Sequence, residues 1–173
     1  MTRRWFKGLS SAGPRPIVIR LAAAFDMERL AGYFGTLSER ARHNRFMGPV
    51  NDLTMIADNC LKPGCGDDRF VLFAELRKHG RSRIVGEACY AFDRDSGCGE
   101  FAISVADDCR RQGLGSALLW ALQFRAVSLG YFRLFGEALK TNEEMAGFAR
   151  KAGFECTRAL DWRAVRFDKN LAE

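Results

Sequence analysis

The feature that most constrains this chain is a strand that runs through a glycine loop into a helix. Glu100-Phe101-Ala102-Ile103-Ser104-Val105 alternates and reads as a strand, the polar loop after it carries Gly113 and Gly115, and Ser116 to Phe124 is an apolar-rich helix. That arrangement binds phosphate. Without a Cβ, the two glycines let the backbone approach an anion closely, and the first helical N–H groups point at it without partners inside the helix. The helix dipole adds roughly half a positive charge at that end. Two familiar phosphate loops are excluded by spacing. No Gly-Lys-Ser or Gly-Lys-Thr follows, as a nucleotide P-loop requires. In a dinucleotide fingerprint the third glycine would stand where this chain has Leu118.

The rest of the chain sets the frame for that loop. A length of 173 residues predicts one domain over 15–173, with residues 1–14 as a mobile tail rich in Arg, Lys, Gly, Ser and Pro. A hydrophobic fraction of 47% with 28% charged residues is that of a soluble globular protein. The basic start, Met1 to Gly8, lacks the apolar core of a signal peptide, and no long uncharged apolar run is present, so the expected location is cytoplasmic with no membrane partner. Cys60, Cys65, Cys89, Cys98, Cys109 and Cys156 form no Cys-x-x-Cys pair and lie away from His43 and His79, so they read as reduced thiols and no metal is expected. The net charge of +6 suits an anionic cofactor, nucleic acid or a membrane surface. The basic residues are spread and carry no nucleic-acid recognition pattern, so no nucleic-acid partner is expected.

Periodicity predicts the elements in order. Pro16 to Arg20 reads as a strand, Met27 to Phe34 as a helix with Asp26 as its N-cap, Ser38 to Phe46 as a second helix and Leu53 to Asn59 as a third. Phe70 to Leu76 and Arg83 to Phe92 form a hairpin, and with residues 100–105 a meander. After the central helix, Arg133 to Leu139 reads as a strand. Thr141-x-x-Glu144 reads as a capping box opening the helix Glu143 to Lys151, and Phe154 to Cys156 and Trp162 to Phe167 as closing strands. The order is βααα-βββ-α-β-α-ββ. It is a mixed α/β (α+β) chain with a mostly antiparallel, twisted sheet of six to seven strands flanked by helices.

Two motifs carry a resemblance. Arg110-x-x-Gly113-x-Gly115 is similar to the acetyl-CoA pyrophosphate loop of the GNAT superfamily of N-acetyltransferases. Asn142 to Phe154, ending in Lys151-Ala152-Gly153-Phe154, resembles that family's Asn-led segment, one strand later as in the family. Leu37 to Phe46, Ile84-Val85-Gly86, Glu100 to Ile103 and Gly136 to Leu139 look like the catalytic domains of bacterial protein lysine acetyltransferases. The resemblance implies a GNAT fold with acetyl-CoA as cosubstrate and no metal. The acceptor it implies is a primary amine, on a protein lysine or a small molecule, and a homodimer is compatible with it.

It also implies roles by position. The backbone from Arg111 through Gln112, Gly113, Leu114 and Gly115 to Ser116 would hold the pyrophosphate, with Arg110 adding charge. Ile103 and Val105 would pair with the pantetheine arm as an added strand would, and Asn142 would reach the cofactor from the opposite side. Many relatives have a tyrosine as general acid where this chain has Ala149, which leaves the acid unassigned. Glu100 and, on the neighbouring strand, Glu87 are the candidate bases, ahead of Glu137; each also reads as an ordinary strand glutamate. Tyr90 and Cys156 read as core or inert rather than as the missing acid. Trp5, Trp120 and Trp162 read as packing residues, and the basic residues of the second helix as a solvated face. A catalytically silent acyl-CoA sensor is the alternative that Ala149 motivates.

Overall fold

The computed structural model describes residues 17–62, 68–78, 80–94 and 97–172. The expected tail at 1–14, with Trp5, Cys65 and His79, lies outside the described residues. The predicted order of elements is the observed one: β1 (Ile17–Leu21), α1 (Met27–Thr36), α2 (Glu39–Phe46), α3 (Leu53–Leu61), β2 (Arg69–Lys78), β3 (Arg81–Asp93), β4 (Cys98–Val105), α4 (Leu114–Ser128), β5 (Arg133–Leu139), α5 (Glu143–Lys151), β6 (Glu155–Arg158) and β7 (Ala164–Asn170). The strands form one sheet in the order β1-β2-β3-β4-β5-β7-β6.

Every neighbouring pair is antiparallel except β4 and β5, because α4 carries the chain back across the sheet between them. That parallel pair is short. Only Gly99 with Leu134 and Glu100 with Phe135 are in register, and beyond them the two strands part. Phe101 sits where they diverge. A Cβ at position 136 would lie 2.7 Å from its ring, so Gly136 supplies the space it fills, and Phe154 packs on the ring at 5.1 Å.

One face of the sheet is covered through α4, whose Leu118, Leu119 and Leu122 are buried; the other is covered by α1 through Leu30, Tyr33 and Phe34. The alternation of β3 sorts its residues between the two. Gly86 touches Leu118 of α4, whereas Glu87 and Cys89 face the helices of the first half of the chain.

Three expectations change. Asp26 stands at the N-cap position of α1 but makes no capping bond. It is fully buried and accepts from the Ala23 N–H at 2.9 Å, from Arg20 at 2.7 and 2.8 Å and from Arg29 at 2.9 Å. A buried carboxylate needs cations more than a helix start needs a cap. At α5 the cap is Asn142, whose Oδ1 accepts from the Met145 N–H at 3.2 Å, and not the Thr141–Glu144 box. Trp120 and Trp162 are exposed rather than packed inside; Trp120 stacks on Phe124 along the outer side of α4.

Arg20 and Arg29 also reach Glu75, so one ionic cluster ties β1, β2 and α1 together. The Arg20 hydrogen bond is the main cause that holds Asp26 down to a pKa of about 2. A carboxyl depressed in the folded state contributes stability above its unfolded pKa and loses it as pH falls through the folded value. We therefore expect roughly 2 kcal/mol of stability to vanish between about pH 4 and pH 2. Urea denaturation at pH 7 and pH 3 checks this: Asp26→Asn should lose about that much at pH 7 and show a flatter acid limb.

Candidate functional site

The parting of β4 and β5 opens a cavity of about 580 Å³, lined by β4 from Phe101 to Val105, by the glycine loop and by α5. Backbone groups alternate sides along a strand. The Ala106 N–H bonds to Val85 O on β3 at 2.9 Å, so the N–H and C=O groups of Ile103 and Val105 face the other way, into the gap. A linear amide-bearing ligand can pair with them as an extra strand.

At the upper end of the gap, Gly113 takes φ +79° and turns the chain into α4. Arg111 is also left-handed, with φ 55°. The first backward helical bond runs from the Ala117 N–H to Gly113 O at 3.0 Å. The N–H groups of Leu114, Gly115 and Ser116 precede it and are directed out of the helix start, as an anion site requires. Leu114 offers only its backbone, since its side chain is buried. Gln112 lies off the cavity lining and its amide donates to Asp108 O at 3.3 Å. Arg110 lines the cavity but is held by Asp107 at 3.2 Å and Glu144 at 3.3 Å, so an anionic ligand competes with two carboxylates for it. Asn142 lines the cavity too; its Oδ1 is used as the α5 cap, which leaves its NH₂ group for a ligand.

A second cavity of about 260 Å³ shares Arg45, Phe101 and Ala102 with the first, and Glu100 lies on its wall. The two cavities thus meet beside the last residue of β4 that pairs with β5. Glu100 retains access to solvent, yet the surrounding protein raises its pKa by disfavouring the charged form, and the Glu137 carboxylate adds to the rise. Arg45, Arg166 and Arg69 offset part of it.

Glu87 has a different environment. It is fully buried and accepts four hydrogen bonds: from Arg45 Nε at 2.6 Å and Ser104 Oγ at 2.7 Å on Oε1, and from Arg45 Nη2 at 3.3 Å and Cys89 Sγ at 3.0 Å on Oε2. All four acceptor positions of the carboxylate are filled, which leaves none for a proton from a ligand. Glu87 is a structural anchor for α2. Tyr33 extends this network through Ser104 Oγ at 3.0 Å.

Arg45 is the cavity-lining residue that the reading of α2 as a wet face misses. It is only 9% exposed and stands at the junction of both cavities. A signal was available: Arg45 stands one helical turn after Ala41, which is buried. Ala149 is buried and off the cavity lining. Tyr90 is buried against Phe70 and Tyr131, its hydroxyl has no partner among the described residues, and burial raises its pKa. Cys156 is on β6 at the sheet edge.

Comparison with known proteins gives a consistent result. A model of the acetyltransferase (GNAT) family matches residues 37–154. An acetyltransferase of Pseudomonas aeruginosa is 26% identical over 157 residues, spanning 91% of this chain and 83% of its own. Among solved structures, the GNAT domain of S. lividans PAT has a TM-score of 0.78 at 23% identity, covering 88% of this chain and 89% of that one. A ribosomal-protein-alanine N-acetyltransferase of Brucella melitensis has a TM-score of 0.69 at 22% identity over 89% and 99% of the two chains.

Two substitutions test the geometry. A Cβ at Gly115 meets nothing closer than Phe148 at 3.6 Å, so Gly115→Ala folds normally; its methyl group takes space needed by a pyrophosphate, and coenzyme A affinity by calorimetry should fall roughly tenfold or more. Unchanged affinity would remove the anion from this helix start. Glu87→Ala leaves the Arg45 charge buried without its partner and should lower stability by about 3–5 kcal/mol in thermal or urea denaturation.

Proposed function

The chain belongs to the acetyltransferase (GNAT) family, and from that premise we propose that it transfers acetyl from acetyl-CoA to the primary amine of a protein lysine, with Glu100 as the base. The observation that carries the reading is the junction of the two cavities, with Glu100 just beyond it. One cavity has the backbone donors for a cofactor arm, and the other has a carboxylate for an incoming ammonium.

Acetyl-CoA supplies an activated thioester whose carbonyl an amine can attack. The chain's own residues do the rest. The N–H groups of Gly113 to Ser116 hold the pyrophosphate, with those of Arg111 and Gln112 at the loop's start. Arg110 adds charge, Ile103 and Val105 align the arm, and the Asn142 amide reaches it from α5. This fixes the thioester carbonyl near Ile103, whose backbone supplies a donor for the oxyanion. Glu100 attracts the ammonium into the second cavity and accepts its proton, directly or through water. An alkylammonium has a reference pKa near about 10, so an acceptor for that proton is needed at neutral pH.

The alternative is a silent acyl-CoA sensor, favoured by the buried Ala149 in place of a tyrosine. A third reading keeps the enzyme and makes the acceptor a small amine. Turnover of acetyl-CoA against an amine and peptide panel separates the three. A cytoplasmic location goes with the protein-lysine reading; among the described residues no helix is long and apolar enough to cross a membrane.

Glu100→Gln should slow the chemical step roughly 10²-fold while coenzyme A affinity holds. The sign of the pH dependence follows from the raised Glu100 pKa: wild-type kcat/KM should fall as pH drops through that value, and the variant should lose this limb. Stability moves the other way. A carboxyl whose pKa is raised in the fold loses stabilisation as pH rises through that value, so Glu100→Gln should be at least as stable as wild type at neutral pH. A variant with wild-type turnover would move the base elsewhere.

A further inference from the structure

The register of the sheet reveals a surface that continues the acceptor cavity. Residues paired across neighbouring strands project on the same side. Glu100 pairs with Phe135, Phe135 with Asp168, and Asp168 with Glu155, so one row crosses β4, β5, β7 and β6. A second row, Glu137-Arg166-Thr157, lies beside it. Two contacts attest that these side chains share a face: Arg166 lies over the Phe135 ring at 3.7 Å, and Thr157 Oγ1 donates to Asp168 at 2.5 Å. All four residues of β6 are exposed. The face runs outward from Glu100 to the edge of the sheet.

Its charge is opposite to that of the chain. The protein as a whole is formally +6. On these four strands the face carries the carboxylates Glu100, Glu137, Asp168 and Glu155 against the guanidiniums of Arg133 and Arg166. Arg166 and Asp168 satisfy each other at 2.9 Å. Among the described residues, Glu100, Glu137 and Glu155 make no ion pair or hydrogen bond with a cation of the chain.

We propose that this open face is the docking surface for an extended, basic segment of the acceptor protein, which lies across β5, β7 and β6 with its lysine side chain reaching Glu100. The inference rests on the protein-lysine reading above and adds a rule for which lysines are accepted. The rule comes from two spacings. From β4 to β6 is three strand steps of about 4.8 Å, or about 14 Å. An extended peptide advances about 3.3 Å per residue, so four residues span about 13 Å and bring the side chain back to the same side. A cation four residues from the acceptor lysine therefore falls over Glu155. A residue two positions away falls over the Arg166–Asp168 pair, which is already neutral and carries little preference. Glu137, beside the lysine's path, favours the approaching ammonium over an acidic neighbour.

The test uses peptides of one sequence around a single lysine, with Arg or Glu at the fourth residue before or after it. At low salt the peptide with Arg on the side that meets β6 should exceed its Glu counterpart roughly tenfold in kcat/KM, chiefly through KM, and high salt should reduce the ratio. Glu155→Lys should level or invert that ratio, with Glu155→Gln in between; coenzyme A binding measured on each variant reports that it is folded. Equal rates for Arg and Glu peptides overturn the proposal. So does a ratio that survives Glu155→Lys, or a preference that tracks the residue two positions away. If no peptide is acetylated while butylamine is, the docking face and the protein-lysine reading both fall and the transferase stands. If neither is acetylated by a protein that binds coenzyme A, the docking face and the protein-lysine reading fall, and the wider amine panel decides between a small-amine transferase and the sensor.

Discussion

The parting of β4 and β5 is the constraint on which the rest of this structure depends. Strands in the middle of a sheet normally satisfy each other's N–H and C=O groups, and leaving such groups unpaired is unfavourable unless water or a ligand takes them. Here the pairing ends after Glu100 and Phe135. The backbone groups of Ile103 and Val105 are held facing an opening in an otherwise continuous sheet. Phe101 is seated at the divergence against Gly136 and Phe154. The helix start at Gly113 stands at one end of that opening and Glu100 at the other. Anion site, strand-like edge and carboxylate thus follow from one irregularity in the sheet.

Two glutamates on neighbouring strands show how environment separates roles. Glu87 and Glu100 project from the same face of the sheet, Glu87 opposite Ser104 and Glu100 opposite Ala91. Glu87 is surrounded by donors and serves to hold Arg45 and, through it, α2 over the junction of the cavities. Such a buried pair adds little net stability relative to apolar packing, but losing one partner is severe, so it fixes geometry. Glu100 has no such partners and a raised pKa. A carboxylate kept short of donors is the better proton acceptor. That separation is invisible in sequence, where both are glutamates in alternating strands.

What was legible in the sequence follows the same division. Element order and the glycine loop rest on periodicity and on residues with few alternatives, and the strand β5 and the helix α5 have the expected bounds. Features that depend on tertiary charge were not legible. Asp26 reads as a cap and is instead the centre of an ionic cluster; Arg45 reads as part of a solvated face and is only 9% exposed; Trp120 reads as a packing residue and is exposed, stacked on Phe124. Asn142 was found by resemblance, yet its use as the α5 cap could also be read locally from its place before two glutamates. For Arg45 a partner on a distant strand, Glu87, decided the role of a residue whose local sequence permitted two.

The absence of a tyrosine at position 149 bears on how protons move under the proposed reaction. Transfer releases one proton from the ammonium and leaves a thiolate that needs one. Ser104 lines the gap and Tyr33 bonds to it, but their hydrogen bonds end on Glu87, which has no free acceptor position. Burial also raises the Tyr33 pKa above the usual phenol range, so Tyr33 holds its proton. Neither is suited to supply an acid. A thiol with a reference pKa near about 8.5 is a good leaving group without one, and water reaching the joined cavities can protonate it. The demanding proton is the one on the amine, whose pKa is higher. A site that keeps a carboxylate for that proton and leaves the thiolate to solvent meets the harder requirement with a residue and the easier one with water. Replacing the tyrosine by an alanine buried in α5 is compatible with catalysis on those terms.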